Sequence, residues 1–158
     1  MSKISISELG EAGTADEFDL QNFLPYLLNQ AAEVSSLAFQ KIYKDRYGML
    51  RTEWRVLFHL GIYGRMTAKE IGDRSKMHKT KISRAVAKLA ERRFLTRERD
   101  EADRRLEFLE LTAAGRKAYR DLREVALEYD LELASQFSPE EAETLRRLLH
   151  KLAGNMDG

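Results

Sequence analysis

The sequence contains no cysteine. Disulfides, thiolate zinc sites, iron–sulfur clusters and thiol redox sensing are therefore excluded. Histidine is scarce too. His59, His78 and His150 share no helix-face spacing, so neither a metal site nor a cofactor is expected. Only 2 Pro and 9 Gly occur in 158 residues, which rules out collagen-like and low-complexity chains. No apolar run reaches the roughly 18 residues that a membrane-spanning helix needs, so no membrane partner is expected. Residues 1–19 carry Glu8, Glu11, Asp16, Glu17 and Asp19 and no apolar segment. They read as a mobile polar arm rather than a secretory signal, and a cytoplasmic location is the expectation. No Gly-rich phosphate loop, H-E-x-x-H or G-x-S-x-G motif is present, and Glu140 and Glu141 read as a helix cap. An enzyme is not expected.

What the chain does have is 43% apolar and 34% charged residues, enough at this length for one core without staples. Its net charge is only +1, but the charge is segregated. Between Arg74 and Arg99 stand ten Lys and Arg against two acids, a net of +8; the remainder holds 17 Lys and Arg against 24 acids, a net of −7. Like charges packed so closely oppose compaction unless a polyanion offsets them, and a phosphate backbone is the usual one. The plainer alternative is a solvated basic helix face with no partner.

Apolar spacing from Leu20 to Tyr47 predicts a long amphipathic helix that Gly48 stops, with Pro25 imposing a late start or a kink. Thr52 to Ile62 predicts a second helix. Thr67-Ala68-Lys69-Glu70 reads as a capping box opening a short third helix to about Arg74. After a turn at Ser75 to His78, Lys79 to Arg92 predicts a fourth. Its apolar stripe is Ile82, Ala85, Val86 and Leu89, while Lys81, Arg84 and Lys88 share another face. Phe94 to Leu111 loses the helical period and reads as a β-hairpin with a charged tip at Arg99 to Arg105, its alternation imperfect at Phe108 and Leu109. Thr112 to Gln136 predicts a fifth helix. Ser138-Pro139-Glu140-Glu141 opens a sixth, striped by Leu145, Leu148, Leu149 and Leu152.

Helix, helix, turn, basic helix, hairpin is the winged helix-turn-helix order, in which the second helix of the pair enters the major groove. The run MTAKEIGDRSKMHKTKISRAVAKLAERRFLTRERDEADRRLEFLELTAAGR, with TEWRVLFHL before it, resembles the DNA-binding core of the MarR family of bacterial transcriptional regulators. The most specific parts are the Lys79–Leu89 helix, the run Asp100-x-x-Asp103-x-Arg105 and Leu111-Thr112-Ala113-Ala114-Gly115. The stretch TAKEIGDRSKMHKTKISRAV is similar to a branch that includes regulators of aromatic-acid catabolism, some responding to aromatic acyl-CoA thioesters. The resemblance implies a mainly α fold with a small β-hairpin wing, in one domain over residues 20–158. The winged core would span about residues 50–111 and the dimerisation helices about residues 20–47 and 112–154. It also implies a homodimer whose recognition helices lie about 34–36 Å apart on a pseudo-palindromic operator in double-stranded DNA. The three flanking helices carry more apolar stripe than the small core can cover, which agrees with a homodimer independently.

At the start of the recognition helix, Lys79, Thr80, Lys81, Ser83 and Arg84 are the candidates for base contacts. Arg84 suits a bidentate guanine contact and Thr80 a thymine methyl. Lys88, Arg74 and Lys76 suit phosphates. The family pattern places an Asp that orients an Arg in the minor groove; Asp103 and Arg105 match it, with Arg104 the adjacent alternative. The sequence departs from the family at Arg93, where Gly is common. Either the helix ends differently there or Arg93 is an extra phosphate contact. Many relatives are released from DNA by a small anionic aromatic ligand, which makes the chain an expected repressor. Candidate lining residues are Tyr26, Trp54, Phe58 and His59, although plain core is the stronger reading for Trp54 and an ordinary interior or surface histidine the stronger reading for His59. Arg46, Arg51 and Arg55 are the cations near enough to that segment to meet the phosphates of a CoA thioester. The competing class is a winged-helix protein-interaction module that binds no DNA, against which the +8 window stands.

Overall fold

Local chemistry sets most of the element boundaries in the computed structural model, which describes residues 17–155. The expected mobile arm falls largely outside the described residues. The chain divides into two units, residues 1–36 and 37–158. In the first, the Asp19 carboxylate accepts from the Gln21 amide at 3.1 Å and caps a 3-10 turn, Leu20–Asn22. Helix α1 (Leu24–Tyr47) begins only after that turn, with Pro25 in its first turn, where the missing N–H leaves no bond unmade. Of the two effects Pro25 allowed, the late start is the one observed.

In the second unit, α1 ends ahead of Gly48, which takes the left-handed φ of +62°. There follow α2 (Arg51–Tyr63), β1 (Met66–Thr67), α3 (Ala68–Ser75), α4 (Lys79–Glu91), β2 (Leu95–Arg99), β3 (Glu107–Leu111), α5 (Ala113–Ala134) and α6 (Pro139–Leu152). This is the mainly helical architecture with a hairpin wing that the sequence led us to expect. The hairpin gains a third, two-residue strand: the antiparallel sheet runs β1-β3-β2, with Met66 opposite Leu109 and Thr67 opposite Phe108. The uneven alternation in β3 has a cause. Leu109 enters the core, whereas Phe108 lies half-buried with the Arg65 guanidinium 4.4 Å above its ring.

Val56 and Leu57 of α2, Ile71 of α3, Leu89 of α4, Leu109 of β3 and Leu122 of α5 are fully buried together. Each such side chain contributes about 1.5–3 kcal/mol over its exposed state. The buried residues of α4 are Ile82, Ala85, Val86 and Leu89, so its stripe sits on the predicted face.

The Leu111–Gly115 run explains itself at the wing's exit. Thr112 Oγ1 accepts from the Gly115 amide at 3.0 Å and donates to the Arg93 carbonyl at 2.7 Å. A Cβ on Gly115 would lie 2.0 Å from the Phe94 carbonyl oxygen, so no other residue fits there. At α6 the capping box is complete: Ser138 Oγ accepts from the Glu141 amide at 3.1 Å, and Glu141 Oε1 accepts from the Ser138 amide at 2.9 Å. At α3 only half of the expected box forms. Thr67 Oγ1 accepts from the Glu70 amide at 3.2 Å, but Glu70 makes no return bond among the described residues. Its carboxylate stays in solvent.

Leu127 and Leu131 of α5 and Leu145, Leu148, Leu149 and Leu152 of α6 are exposed, and Leu131 is 73% accessible. Among the described residues no helix is long and apolar enough to cross a membrane.

Candidate nucleic-acid interface

The turn between α3 and α4 is held from several sides. Lys76 caps α3 in the left-handed region, φ +60°, and its amide donates to the Gly72 carbonyl at 2.9 Å. Ser75 Oγ accepts from the Met77 amide at 3.2 Å, and Met77 is buried beneath the turn. Arg55 Nη2 reaches from α2 to donate to the Ser75 carbonyl at 2.8 Å. Burial of Arg55, with the Arg51 charge nearby, lowers its pKa from the ordinary arginine value. His78 then caps α4, its Nδ1 accepting from the Thr80 amide at 3.3 Å.

With its apolar stripe inward, α4 presents Lys79, Thr80, Lys81, Ser83, Arg84 and Lys88 to solvent. Lys81, Arg84 and Lys88 lie at spacings of three and four along one face, and among the described residues none of them meets a carboxylate. Unpaired cations on one helix face are poised for an external anion.

The wing tip is ordered by its own acids. Asp100 Oδ2 accepts from the Asp103 amide at 3.3 Å, and the Leu106 amide donates to the Asp103 carbonyl at 3.0 Å. Asp103 takes the Arg105 guanidinium through both oxygens, Nε to Oδ1 at 3.1 Å and Nη2 to Oδ2 at 3.3 Å. Its Oδ1 also accepts from the Arg105 amide at 3.1 Å. These bonds to Arg105 hold the Asp103 carboxyl below the usual carboxylate range. Arg105 itself is extended outward, its side chain 91% accessible. Arg104 is exposed, and its carbonyl accepts from Arg99 Nη1 at 3.0 Å.

The remaining candidates are more committed. Arg74 lies with its guanidinium carbon 4.0 Å from the centre of the Tyr63 ring, a cation–π platform not anticipated from the sequence. Lys76 Nζ donates to the Ala153 carbonyl at the end of α6. Of the four candidate effector residues, Trp54 and Phe58 stack edge to face at 5.2 Å in an aromatic cluster with Phe39, Tyr43, Tyr119 and Tyr129. His59 Nδ1 lies 2.6 Å from the Arg55 carbonyl, which makes that nitrogen the donor. Tyr26 belongs to the first unit and is half-buried on α1. The three arginines suited to CoA phosphates are partly occupied as well: Arg46 pairs with Asp121 at 2.9 Å, and Arg55 holds Ser75.

Arg93 adopts φ +63°, the conformation that glycine takes most cheaply. The Phe94 amide donates to the Leu89 carbonyl at 2.9 Å, closing the helix as a Gly cap would, at a cost of about 1 kcal/mol for a non-Gly residue. The helix end is therefore not reshaped, and the Arg93 side chain is exposed.

A MarR-family model matches residues 47–106, from the end of α1 through the wing tip. The uncharacterized HTH-type transcriptional regulator YwoH of Bacillus subtilis is 27% identical over 126 residues, covering 79% of this chain and 90% of that protein. A crystal structure of a MarR/EmrR family transcriptional regulator from Acinetobacter sp. ADP1 superposes with a TM-score of 0.77 at 26% identity, over 87% of this chain and 96% of that one. Over the matched segment and in its fold, the chain is similar to winged-helix transcriptional regulators of the MarR family. The fold extends to a mutant MarR from E. coli complexed with operator DNA, TM-score 0.76 at 19% identity, over 87% of this chain and 99% of that one. These relatives and structural neighbours are transcriptional regulators and not enzymes. Within this MarR-type fold, α4 and the β2–β3 wing occupy the recognition-helix and wing positions of the winged helix-turn-helix order.

Proposed function

We propose that the chain is a homodimeric, sequence-specific DNA-binding repressor whose α4 enters the major groove and whose wing enters the minor groove. The observation that carries this reading is the exposed face of α4, where Lys81, Arg84 and Lys88 have no carboxylate partner among the described residues while the opposite face is buried. Lys79, Thr80, Lys81, Ser83 and Arg84 contact base edges, and Arg84 reads a guanine. Lys88 and Arg74 contact phosphates; Lys76 does so on leaving the Ala153 carbonyl. Asp103 holds Arg105 outward for the minor groove, with Arg104 beside it.

The exposed leucines of α5 and α6 support a second copy as the dimer partner, since a monomer would leave them in water. In functional terms, a winged core of about residues 50–111 meets DNA, and helices at about residues 20–47 and 112–154 serve dimerisation. Release from DNA follows binding of a small anionic aromatic acid or its CoA thioester near Trp54, Phe58 and His59, with Tyr26 of the first unit a separate candidate. The aromatic cluster around Trp54 and Phe58 supports the ring half of that ligand.

The test is in vitro selection of a duplex from a random library, followed by fluorescence anisotropy in a KCl series and sedimentation of the free protein. The expected results are a two-fold-symmetric consensus, affinity falling steeply with salt, and a dimer at micromolar concentration. No enrichment above the starting library rejects the reading.

A further inference from the structure

Arg92 belongs to the basic window, and its side chain is 39% accessible, yet its guanidinium is bonded back onto the fold. It stands at the C-terminal cap of α4. Its Nη1 donates to the Tyr47 carbonyl at 3.1 Å and to the Gly48 carbonyl, which are the last carbonyls of α1 and the turn after it. The same nitrogen lies 3.6 Å from Glu53 Oε1. Glu53 is a fully buried carboxylate, 0% accessible, in the first turn of α2. Its Oε2 accepts from the Leu50 amide at 2.8 Å, and its Oε1 has no hydrogen bond of its own, so Arg92 is its one countercharge among the described residues. Gly48 is matched to this arrangement: a Cβ there would lie 3.1 Å from Arg92 Nη1.

The α1–α2 connection is fastened on its other side too. Tyr47 Oη donates to Asp121 Oδ2 at 2.6 Å, and Arg46 Nη1 donates to both Asp121 oxygens, at 2.9 and 3.0 Å. Residues 46–53 thus form a hub, tied to α4 by Arg92 and to α5 by Asp121.

We propose that Arg92 is a positioning residue rather than a DNA contact: it locks the end of the recognition helix to the α1–α2 connection through two carbonyls and the buried Glu53, and so fixes the angle at which α4 meets the duplex. This rests on the DNA-binding reading above for its effect on affinity, but the lock itself is a property of the free protein. A guanidinium anchored through Nη1 to two carbonyls and beside a buried carboxylate is held back toward the α1–α2 connection, whereas Lys88 has no ion-pair partner among the described residues.

Salt dependence and hydrogen exchange separate the possibilities. With a duplex selected by the wild-type protein, Lys88→Ala should reduce the slope of log K against log [KCl] by about 1.8, one phosphate contact from each subunit of the dimer. Arg92→Ala should lower affinity about two- to thirty-fold yet leave that slope at the wild-type value. Arg92→Ala/Glu53→Gln removes the stranded carboxylate while keeping an acceptor for Leu50, and provides a folded variant should the single substitution unfold. Its slope should also match wild type. In the free protein, amides of residues 47–50 and 89–93 should exchange faster together in either Arg92 variant. A slope reduced as in Lys88→Ala overturns the proposal, as does unchanged affinity. Exchange unchanged at residues 47–50 overturns the lock whether or not any duplex is bound, while failure of the wild-type protein to bind DNA counts against the DNA-binding reading alone.

Discussion

Two stretches of the basic window carry the same number of cations and are treated oppositely by the fold. From Lys79 to Lys88 the cations stand on the outer face of α4 without ion-pair partners among the described residues. From Arg92 to Arg99 most of them are spoken for. Arg92 holds the α1–α2 turn, Arg97 pairs with Glu107 at 2.9 Å across the hairpin, and Arg99 donates to the Arg104 carbonyl at 3.0 Å. Net charge alone treats both stretches as one electrostatic patch. Partnering divides them into a surface that awaits an anion and a set of internal fasteners.

Substitutions along α4 and its cap can break that division. The largest expected effect is on the buried face: Leu89→Ala should lower stability by about 2–5 kcal/mol in denaturant melts, while Lys88→Ala beside it changes stability by less than about 0.5 kcal/mol. Next comes Arg92→Ala, which strands the buried Glu53 carboxylate. Arg92 is itself partly exposed, so the expected loss is about 1–3 kcal/mol of stability by the same melts. Arg84→Ala should do the reverse: stability holds within about 0.5 kcal/mol, while selected-duplex binding weakens by about 1–3 kcal/mol and preference relaxes at one base position. If Arg84→Ala and Arg92→Ala prove alike in both assays, the division fails.

The smallest effect belongs to the wing. Asp103 has a carboxyl pKa depressed by Arg105, so their pair is intact at neutral pH and is lost only as pH falls through that depressed value. Between pH 6 and 8 it should contribute no pH dependence to binding, and Asp103→Asn should weaken affinity several-fold at pH 7 without moving the melting curve. An Asp103→Asn protein that binds as wild type does would show that Arg105 needs no orientation.

Much of this was legible in the residues because the physics is local. The stripe of α4 follows from helical period. The Ser138-Pro139-Glu141 cap and the Thr112 cap follow from side chains that reach their own backbone within three residues. The Asp103–Arg105 pair spans two positions and was visible in the motif. What stayed hidden depends on partners that leave no mark in sequence. Arg92 binds carbonyls 44 and 45 positions away, and Lys76 reaches a carbonyl 77 positions away. Strand β1 is two residues long, too short for any period, and exists because Met66 and Thr67 pair with the outer edge of β3. Tyr63 beneath Arg74 has no spacing rule, since it joins the end of one helix to another. Glu70 shows the limit even of local rules: a capping sequence supplies the opportunity for the second bond, and Glu141 takes it where Glu70 does not.

The account stands on which surface meets DNA, and amide chemical-shift mapping of the isotope-labelled protein with a selected duplex tests it most directly. Perturbations concentrated at residues 79–88 and 103–105, with residues 139–152 little changed, are the predicted result. A map centred on α6, or one that leaves α4 unmoved while DNA is bound, would contradict it.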